Sequence, residues 1–427
     1  MCGIFFCVCG PGSECDRDLE QCRQLISRRG PDLVTELDTS LASGHRLLAL
    51  SSVLWLQGAS LQPQPVTDPD TGSILMWNGD IFRLKPGAET EDASPAEVTK
   101  AESDTATLSR LLSRCSCPRD LVTLMSRVHG PWAMVYYHAP SATVWCGRDF
   151  FGRQSLLLSR AGGGLVLASC APATMPHYTE LPALGLYSCQ LLESGGLGRL
   201  QLHPWDCCMN DIDPSLLEAL DCDILNESIP CPVSNQSNLE CLVLENVSDT
   251  DQLFPLLLQN PAVSAVVNQF EEVLAASVMT RLQHQPGLCK DCVSLPSSRR
   301  EECPHAAVGV LFSGGLDSCV LASLAASMTP ADKPLHLYNV AFQQQDGGFS
   351  VPDRVTGLQA FQELRTLHPD KQLVLVLVDV TLEQLQQERA GRVRHLLHPL
   401  NTVLDDSIGC AIWFAARGRG HDRSSDT

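Results

Sequence analysis

Apolar residues change their rhythm along the 427-residue chain. Up to about residue 190 they come in short runs bounded by Gly, Pro or Asp: Gly3–Cys9, Ser73–Trp77, Ala133–His138 and Ala142–Gly147. Such runs predict strands, and Ala139-Pro140-Ser141 between the last two predicts a hairpin. Arg110 to Arg127 has helical spacing at Leu111, Leu112, Leu121 and Leu124, interrupted at Cys115-Ser-Cys117-Pro118. From about 200 to 260, Asp, Asn, Ser, Pro and Cys alternate with short Leu runs, which reads as linker. From Pro261, Val263, Val266, Val267, Phe270, Val273, Leu274, Val278 and Leu282 repeat at helical spacing and predict one apolar stripe. Strands then alternate with helices. Ala306–Phe312, Leu335–Phe342 and Gln372–Val380 are strand runs; Ser318–Met328, Pro352–Leu367, Thr381–Leu397 and Asp405–Arg417 are helical. That order predicts an open parallel sheet covered on both faces.

Composition narrows the classes. Lys+Arg number 30 against 49 Asp+Glu, a formal charge of −19, which argues against non-specific nucleic-acid binding. No apolar run reaches membrane-spanning length, so no membrane partner is expected. Twenty cysteines follow an N-terminus without a signal-peptide pattern. They are therefore expected to stay reduced, in the cytoplasm.

Cys2 follows the initiator Met and precedes the strand run Gly3–Cys9. Removal of Met1 is expected, and it would leave Cys2 with a free α-amine whose pKa lies near 7.7–8.0. Such an amine can take the thiol's proton, so one residue supplies both nucleophile and base. There follow, in order, Arg28-Arg29-Gly30-Pro31-Asp32, Gly44-His45-Arg46-Leu47, Gln64-Pro65, Trp77-Asn78-Gly79-Asp80-Ile81, Ser103-Asp104-Thr105 and Gly147-Arg148-Asp149-Phe150-Phe151-Gly152.

Together these resemble the class II, N-terminal nucleophile, glutamine amidotransferase domain over residues 2–190. The resemblance implies an α+β fold, an αββα sandwich, and hydrolysis of glutamine through a thioester at Cys2. By match, Asn78 and Gly79 supply oxyanion donors, Arg46 holds the glutamine α-carboxylate and Asp104 its α-ammonium. The family has Glu where this chain has Asp80, one methylene shorter, so the reach of any contact from Asp80 to glutamine changes.

The Ala306–Phe312 run leads into Ser313-Gly314-Gly315-Leu316-Asp317-Ser318 and then a helical pattern. Two glycines let the backbone approach a pyrophosphate, and a helix N-terminus offers free N–H groups. Ser313 and Ser318 add hydroxyls, and Asp317 suits Mg²⁺. The hexapeptide resembles the pyrophosphate loop of ATP pyrophosphatases, a Rossmann-like α/β fold. With the N-terminal half it resembles glutamine-dependent asparagine synthetases. Ser350-Val-Pro-Asp353-Arg354 and Leu404-Asp-Asp-Ser-Ile-Gly409-Cys-Ala bring it nearer to asparagine synthetase domain-containing proteins. The resemblance implies glutamine, aspartate and ATP as substrates, an aspartyl-adenylate as the ammonia acceptor, and Phe312 and Val340 beside the adenine.

The Gly-Glu-Gly-Ala-Asp-Glu-type loop of that family does not follow. On this ground the synthetase half is expected to be incomplete, with Ala306–Phe312 at a sheet edge, and unable to finish asparagine synthesis. A binding module that keeps the amidotransferase fold and an uncoupled glutaminase stand as alternatives. The expected layout is an amidotransferase domain at 2–190, a linker at 191–260, a pyrophosphatase domain at 261–417 and a frayed tail at 418–427. Cys289-Lys-Asp-Cys292 with Cys303-Pro-His305 has the spacing of four zinc ligands, or is an inserted loop in a Cys-rich chain.

Overall fold

The computed structural model describes residues 2–10, 16–56, 60–85, 102–209, 212–225, 227–230, 257, 259–285, 289, 292, 305–306 and 308–422. Two compact units share the chain: Met1–Val233 with Gln387–Gly409, and Ser234–Gln386 with Cys410–Thr427.

Strands of the first unit are β1 (Gly3–Cys9), β2 (Leu33–Ser40), β3 (Arg46–Val53), β4 (Val66–Thr67), β5 (Ile74–Gly79), β6 (Arg83–Leu84) and β7 (Val128–His129). They continue as β8 (Trp132–His138), β9 (Thr143–Arg148), β10 (Leu157–Ser159), β11 (Gly164–Ala168), β12 (Thr179–Glu180), β13 (Gly185–Gln190), β14 (Leu200–Pro204) and β15 (Cys222–Ile224). Two sheets hold most of them, ordered β12-β10-β11-β1-β3-β2 and β15-β14-β13-β9-β8-β5-β4.

The seven residues of β1 are all buried because both faces of its sheet are covered. Ile4, Phe6 and Val8 meet Met76, Val135 and Tyr187 of the facing sheet. Phe5, Cys7 and Cys9 turn the other way, onto Leu19, Cys22 and Ile26 of helix α1 (Asp16–Ser27). On the outside of the second sheet, Leu75 and Trp77 pack with residues of α2 (Asp104–Leu112) and α3 (Pro118–Ser126). This is the αββα sandwich expected. The break inside Arg110–Arg127 falls where Pro118 starts α3, since proline tolerates only the first turn of a helix.

The boundary expected at residue 190 moves outward. β14 and β15 extend the second sheet, and α4 (Pro214–Ala219) joins them, so the first unit runs on to Val233. β15 is three residues long, too short for a period to declare itself, and β14 shows only five residues of alternation.

In the second unit α5 (Pro261–Gln283) precedes β16 (Val308–Leu311), α6 (Leu316–Met328), β17 (Leu335–Phe342), α7 (Pro352–Leu367) and β18 (Leu373–Val380). β16, β17 and β18 are parallel, as expected, and among the described residues β16 forms the sheet edge. Part of the tail expected to fray is paired: β19 (His421–Asp422) runs antiparallel to Val376 and Leu377, and 423–427 lie outside the described residues. No described helix is long and apolar enough to cross a membrane.

Candidate functional site

Cys2 enters β1 at the end where Gly3 pairs with Ser52 of β3. Its Sγ lies 3.9 Å from the carbonyl of Leu54, and its own carbonyl accepts from Arg29 Nε at 3.2 Å. The Arg29-Gly30-Pro31-Asp32 stretch builds the wall beside it. A Cβ on Gly30 would stand 2.3 Å from the Val53 carbonyl carbon, so only glycine lets the two backbones meet. The Asp32 carboxylate accepts from the Trp55 N–H at 2.8 Å, which fixes the segment after β3.

β5 of the facing sheet ends at Asn78 and Gly79 beside the same opening. Asn78 is buried; its Nδ2 donates to Gln154 Oε1 at 3.2 Å, and its Oδ1 has no hydrogen-bond partner. Gly79 packs against the next strand, where a Cβ would meet the Pro131 carbonyl oxygen at 2.5 Å. Asp104 is the first residue of α2, which Ser103 caps by accepting from the Ala106 N–H. Its Oδ2 accepts from the Ile81 N–H at 2.5 Å, while Oδ1 is buried without a partner.

One cavity is lined by Cys2, Asn78, Gly79, Asp80 and Asp104, together with Leu54, Trp55, Gln62, Gln64, Trp77, Thr105 and Gln154. Burial pushes the Asp104 carboxyl up to about 7, opposed by the Ile81 N–H and aided by the Asp80 charge. Burial also raises the Cys2 thiol, opposed by a backbone hydrogen bond with Leu54 and by the charge of Arg29. No lysine or arginine stands among the described lining residues.

Arg46 is the expectation that the geometry corrects. It pairs in register with Cys9, at the far end of β1 from Cys2, roughly 20 Å along a strand rising about 3.3 Å per residue. There its guanidinium bonds Asp16 and Asp38, each at 2.8 Å, away from the cavity. Both carboxylates are held below their ordinary range by that arginine.

The sequence assigns no role to the side chains of Gln154, Gln62, Gln64, Trp55 and Thr105. Neutral side chains leave no charge signature, yet two motifs place them. Gln64 accepts from the Trp77 N–H through Oε1 at 2.7 Å and donates to Thr105 Oγ1 at 3.3 Å. Asp149 gathers the N–H groups of Trp132, Phe151 and Arg153, while Arg148 Nε donates to the Gln154 carbonyl at 2.6 Å. The Gly147–Gly152 stretch therefore presents Gln154 to Asn78.

The Ser313–Ser318 loop joins β16 to α6, as the sequence predicts. Gly314 has φ +83°, and a Cβ there would stand 2.4 Å from the Gly357 nitrogen. Ser318 Oγ accepts from the Gly314 N–H, and Ser313 Oγ from the Gly315 N–H, both at 3.2 Å. Asn339 braces the loop, its Nδ2 donating to the carbonyls of Phe312 (2.9 Å) and Asp353 (3.0 Å). Arg354, itself buried, donates to Asn339 Oδ1 at 2.7 Å and pairs with Asp379. Ser313, Gly315 and Asp317 are exposed, and the glycine turn opening a helix suits a phosphate group and a cation.

The side chains of Phe312 and Val340 pack into different apolar clusters. Phe312 is buried with Ala322, Leu337 and Phe361. Val340 packs with Val376, Val378 and Phe414. Strand alternation sends them into separate clusters. Of the zinc candidates, Cys289, Cys292 and His305 converge, with all donor atoms within 4.8 Å of one another. Cys303 lies outside the described residues.

The profile described as glutamine amidotransferase domain matches residues 1–188, and that described as asparagine synthase matches 304–373. Asparagine synthetase domain-containing protein 1 of Bos taurus is 33% identical, covering 98% of this chain and 74% of its own length. The Homo sapiens protein of the same name is 32% identical, over 98% of this chain and 73% of its own. Among solved structures, the glutamine phosphoribosylpyrophosphate amidotransferase from B. subtilis aligns at TM-score 0.37 and 11% identity, over 100% of this chain and 98% of that one. The chain belongs to the family of asparagine synthetase domain-containing proteins, with a glutamine amidotransferase domain ahead of an asparagine synthase domain.

Proposed function

We propose that the first unit hydrolyses glutamine with Cys2 as nucleophile. The observation that carries this is the meeting of Cys2, Asn78, Gly79, Asp80 and Asp104 at one cavity, from chain segments far apart in sequence. With Met1 removed, the Cys2 α-amine takes the thiol proton, and the thiolate attacks the side-chain amide carbon of glutamine. The Asn78 amide and Gly79 N–H stand opposite the oxygen where negative charge develops. Ammonia leaves with the proton returned by the α-ammonium, and water then cleaves the thioester to give glutamate. Asp104, with Asp80 beside it, receives the glutamine α-ammonium. That cation offsets the cost of burying the Asp104 charge.

In the second unit, the backbone N–H groups and hydroxyls of Ser313–Ser318 would hold the phosphates of ATP, and Asp317 would hold Mg²⁺. When bound, ATP supplies the activation of an acceptor carboxylate, aspartate by family likeness. Thiol chemistry at Cys2 fits a reducing, cytoplasmic setting.

A second reading, a binding module without turnover, is favoured by one observation. The described lining of the cavity has no cation for the α-carboxylate of glutamine. Glutamate release separates the two. Release by the wild type that is lost in Cys2→Ala, in material whose intact mass shows Met1 removed, supports hydrolysis. Release that survives Cys2→Ala, or none from the processed wild type, overturns it. Aspartate-dependent AMP formation, measured in parallel, reports on the second unit.

A further inference from the structure

We propose that Cys289, Cys292 and His305 bind a structural Zn²⁺ at the entrance to the second unit's sheet. His305 Nδ1 lies 3.3 Å from Cys289 Sγ and 3.5 Å from Cys292 Sγ. Tetrahedral zinc, with Zn–S about 2.3 Å and Zn–N about 2.0–2.1 Å, sets sulfur-to-nitrogen separations of about 3.6 Å. The His305 nitrogen therefore already stands at coordination distance from both sulfurs, and all three donor atoms lie within 4.8 Å of one another.

The backbone supports the same reading. The N–H of Cys292 donates to Cys289 Sγ at 3.4 Å. An N–H aimed at sulfur stabilises thiolate, the form that binds metal. Two residues separate the cysteines, the shortest spacing common in structural zinc sites. Two sulfurs with an imidazole select zinc over magnesium or calcium, which take oxygen ligands. The fourth position is open to water or a further thiolate.

The position in the chain gives the ion a purpose. Both cysteines follow α5, and His305 stands three residues before β16, the strand that ends at the Ser313 loop. Zinc would close the stretch between Cys289 and His305 and anchor the start of β16, so metal binding would contribute to folding there. This site is independent of the glutamine cavity, and its test reads no enzymatic activity.

The full 427-residue chain, produced with zinc in the medium and purified without chelator, is expected to hold one zinc per chain by elemental analysis. Exchange for cobalt(II) should give tetrahedral ligand-field bands and sulfur-to-cobalt charge transfer. His305→Ala and Cys289→Ser should each lose most of the zinc, whereas Cys117→Ser, at an exposed thiol elsewhere, should keep it. A chromophoric chelator titrated against the wild type measures affinity without relying on any variant's fold. Substoichiometric zinc that free zinc does not restore overturns the proposal. So does full zinc in both ligand variants, or an intact mass showing Cys289 and Cys292 joined as a disulfide.

Discussion

Phe5 and Phe6 are neighbours in β1 and point to opposite faces of their sheet, yet both are fully buried. In the second unit Phe270 of α5 is 66% exposed and Leu316, at the start of α6, is 79% exposed. Both units obey the same rules of apolar spacing, and both leave some apolar side chains open (Phe151 of the first is 65% exposed), but the sheet around β1 is covered on both faces whereas the apolar stripe of α5 is not. An apolar stripe specifies which side of an element seeks company, and it does not supply the company. Where cover is complete, as around β1, the strand end is fixed and a reactive side chain can be placed beside it. Where cover is partial, local order rests on backbone bonds and a few polar braces, and lower local stability is expected.

The largest effects should appear in the first unit. Under the proposed hydrolysis, Cys2→Ala is expected to bring glutamate release to background, and Asn78→Ala to lower it about 10²–10³-fold, the size expected for the loss of one oxyanion donor. Arg46→Ala should leave release within about twofold of wild type, because its guanidinium is engaged by Asp16 and Asp38. Kinetic assays of the three together test whether the cavity or the motif position governs turnover.

Next in size is the core. Phe6→Ala should destabilise the first unit by about 3–5 kcal/mol, read by urea titration of tryptophan fluorescence. Five of the six tryptophans (Trp55, Trp77, Trp132, Trp145 and Trp205) lie in that unit. Trp413 alone reports on the second, whose transition should not move.

Asp104→Asn should trade function for stability. The native carboxyl titrates near 7 against an ordinary 3.8, so between those values the folded state binds more protons than the unfolded chain. Stability therefore falls as pH rises through that window. The Asn variant should gain about 2–4 kcal/mol at pH near 8, with the gain vanishing toward pH 4. A gain of equal size at both ends would show that ionisation is not its source. Gly314→Ala should cost the second unit about 1–3 kcal/mol through its positive φ and the Gly357 backbone. Phe270→Ala should change stability by less than about 0.5 kcal/mol, and a large loss there would erase the contrast between the units.

Much of this is legible in the sequence. β1, β17 and α7 have the bounds that their apolar runs predict. Cys2, Asn78, Gly79, Asp80 and Asp104 meet although 102 positions separate the first from the last. Arg46 shows what a motif omits: proximity in sequence to a good strand says nothing of which end of that strand faces the chemistry. Antiparallel register settles that, and register is a property of two strands. Gln64 stands in a motif and Gln154 just after one, yet neither declares a role, because a neutral amide acquires meaning only from what it bonds. The stripe on α5 is helical, as its period predicts, but Val266, Phe270 and Val273 remain exposed because nothing in a period names its partner.

Asn339 has a mechanical consequence for the second unit. One side-chain amide grips the last carbonyl before the glycine turn and also a carbonyl in the first turn of α7. The two segments are thereby yoked, like wheels on a shared axle, and neither can travel without dragging the other. Displacing the turn therefore strains the bond to Asp353, and displacing that helix start strains the bond to Phe312.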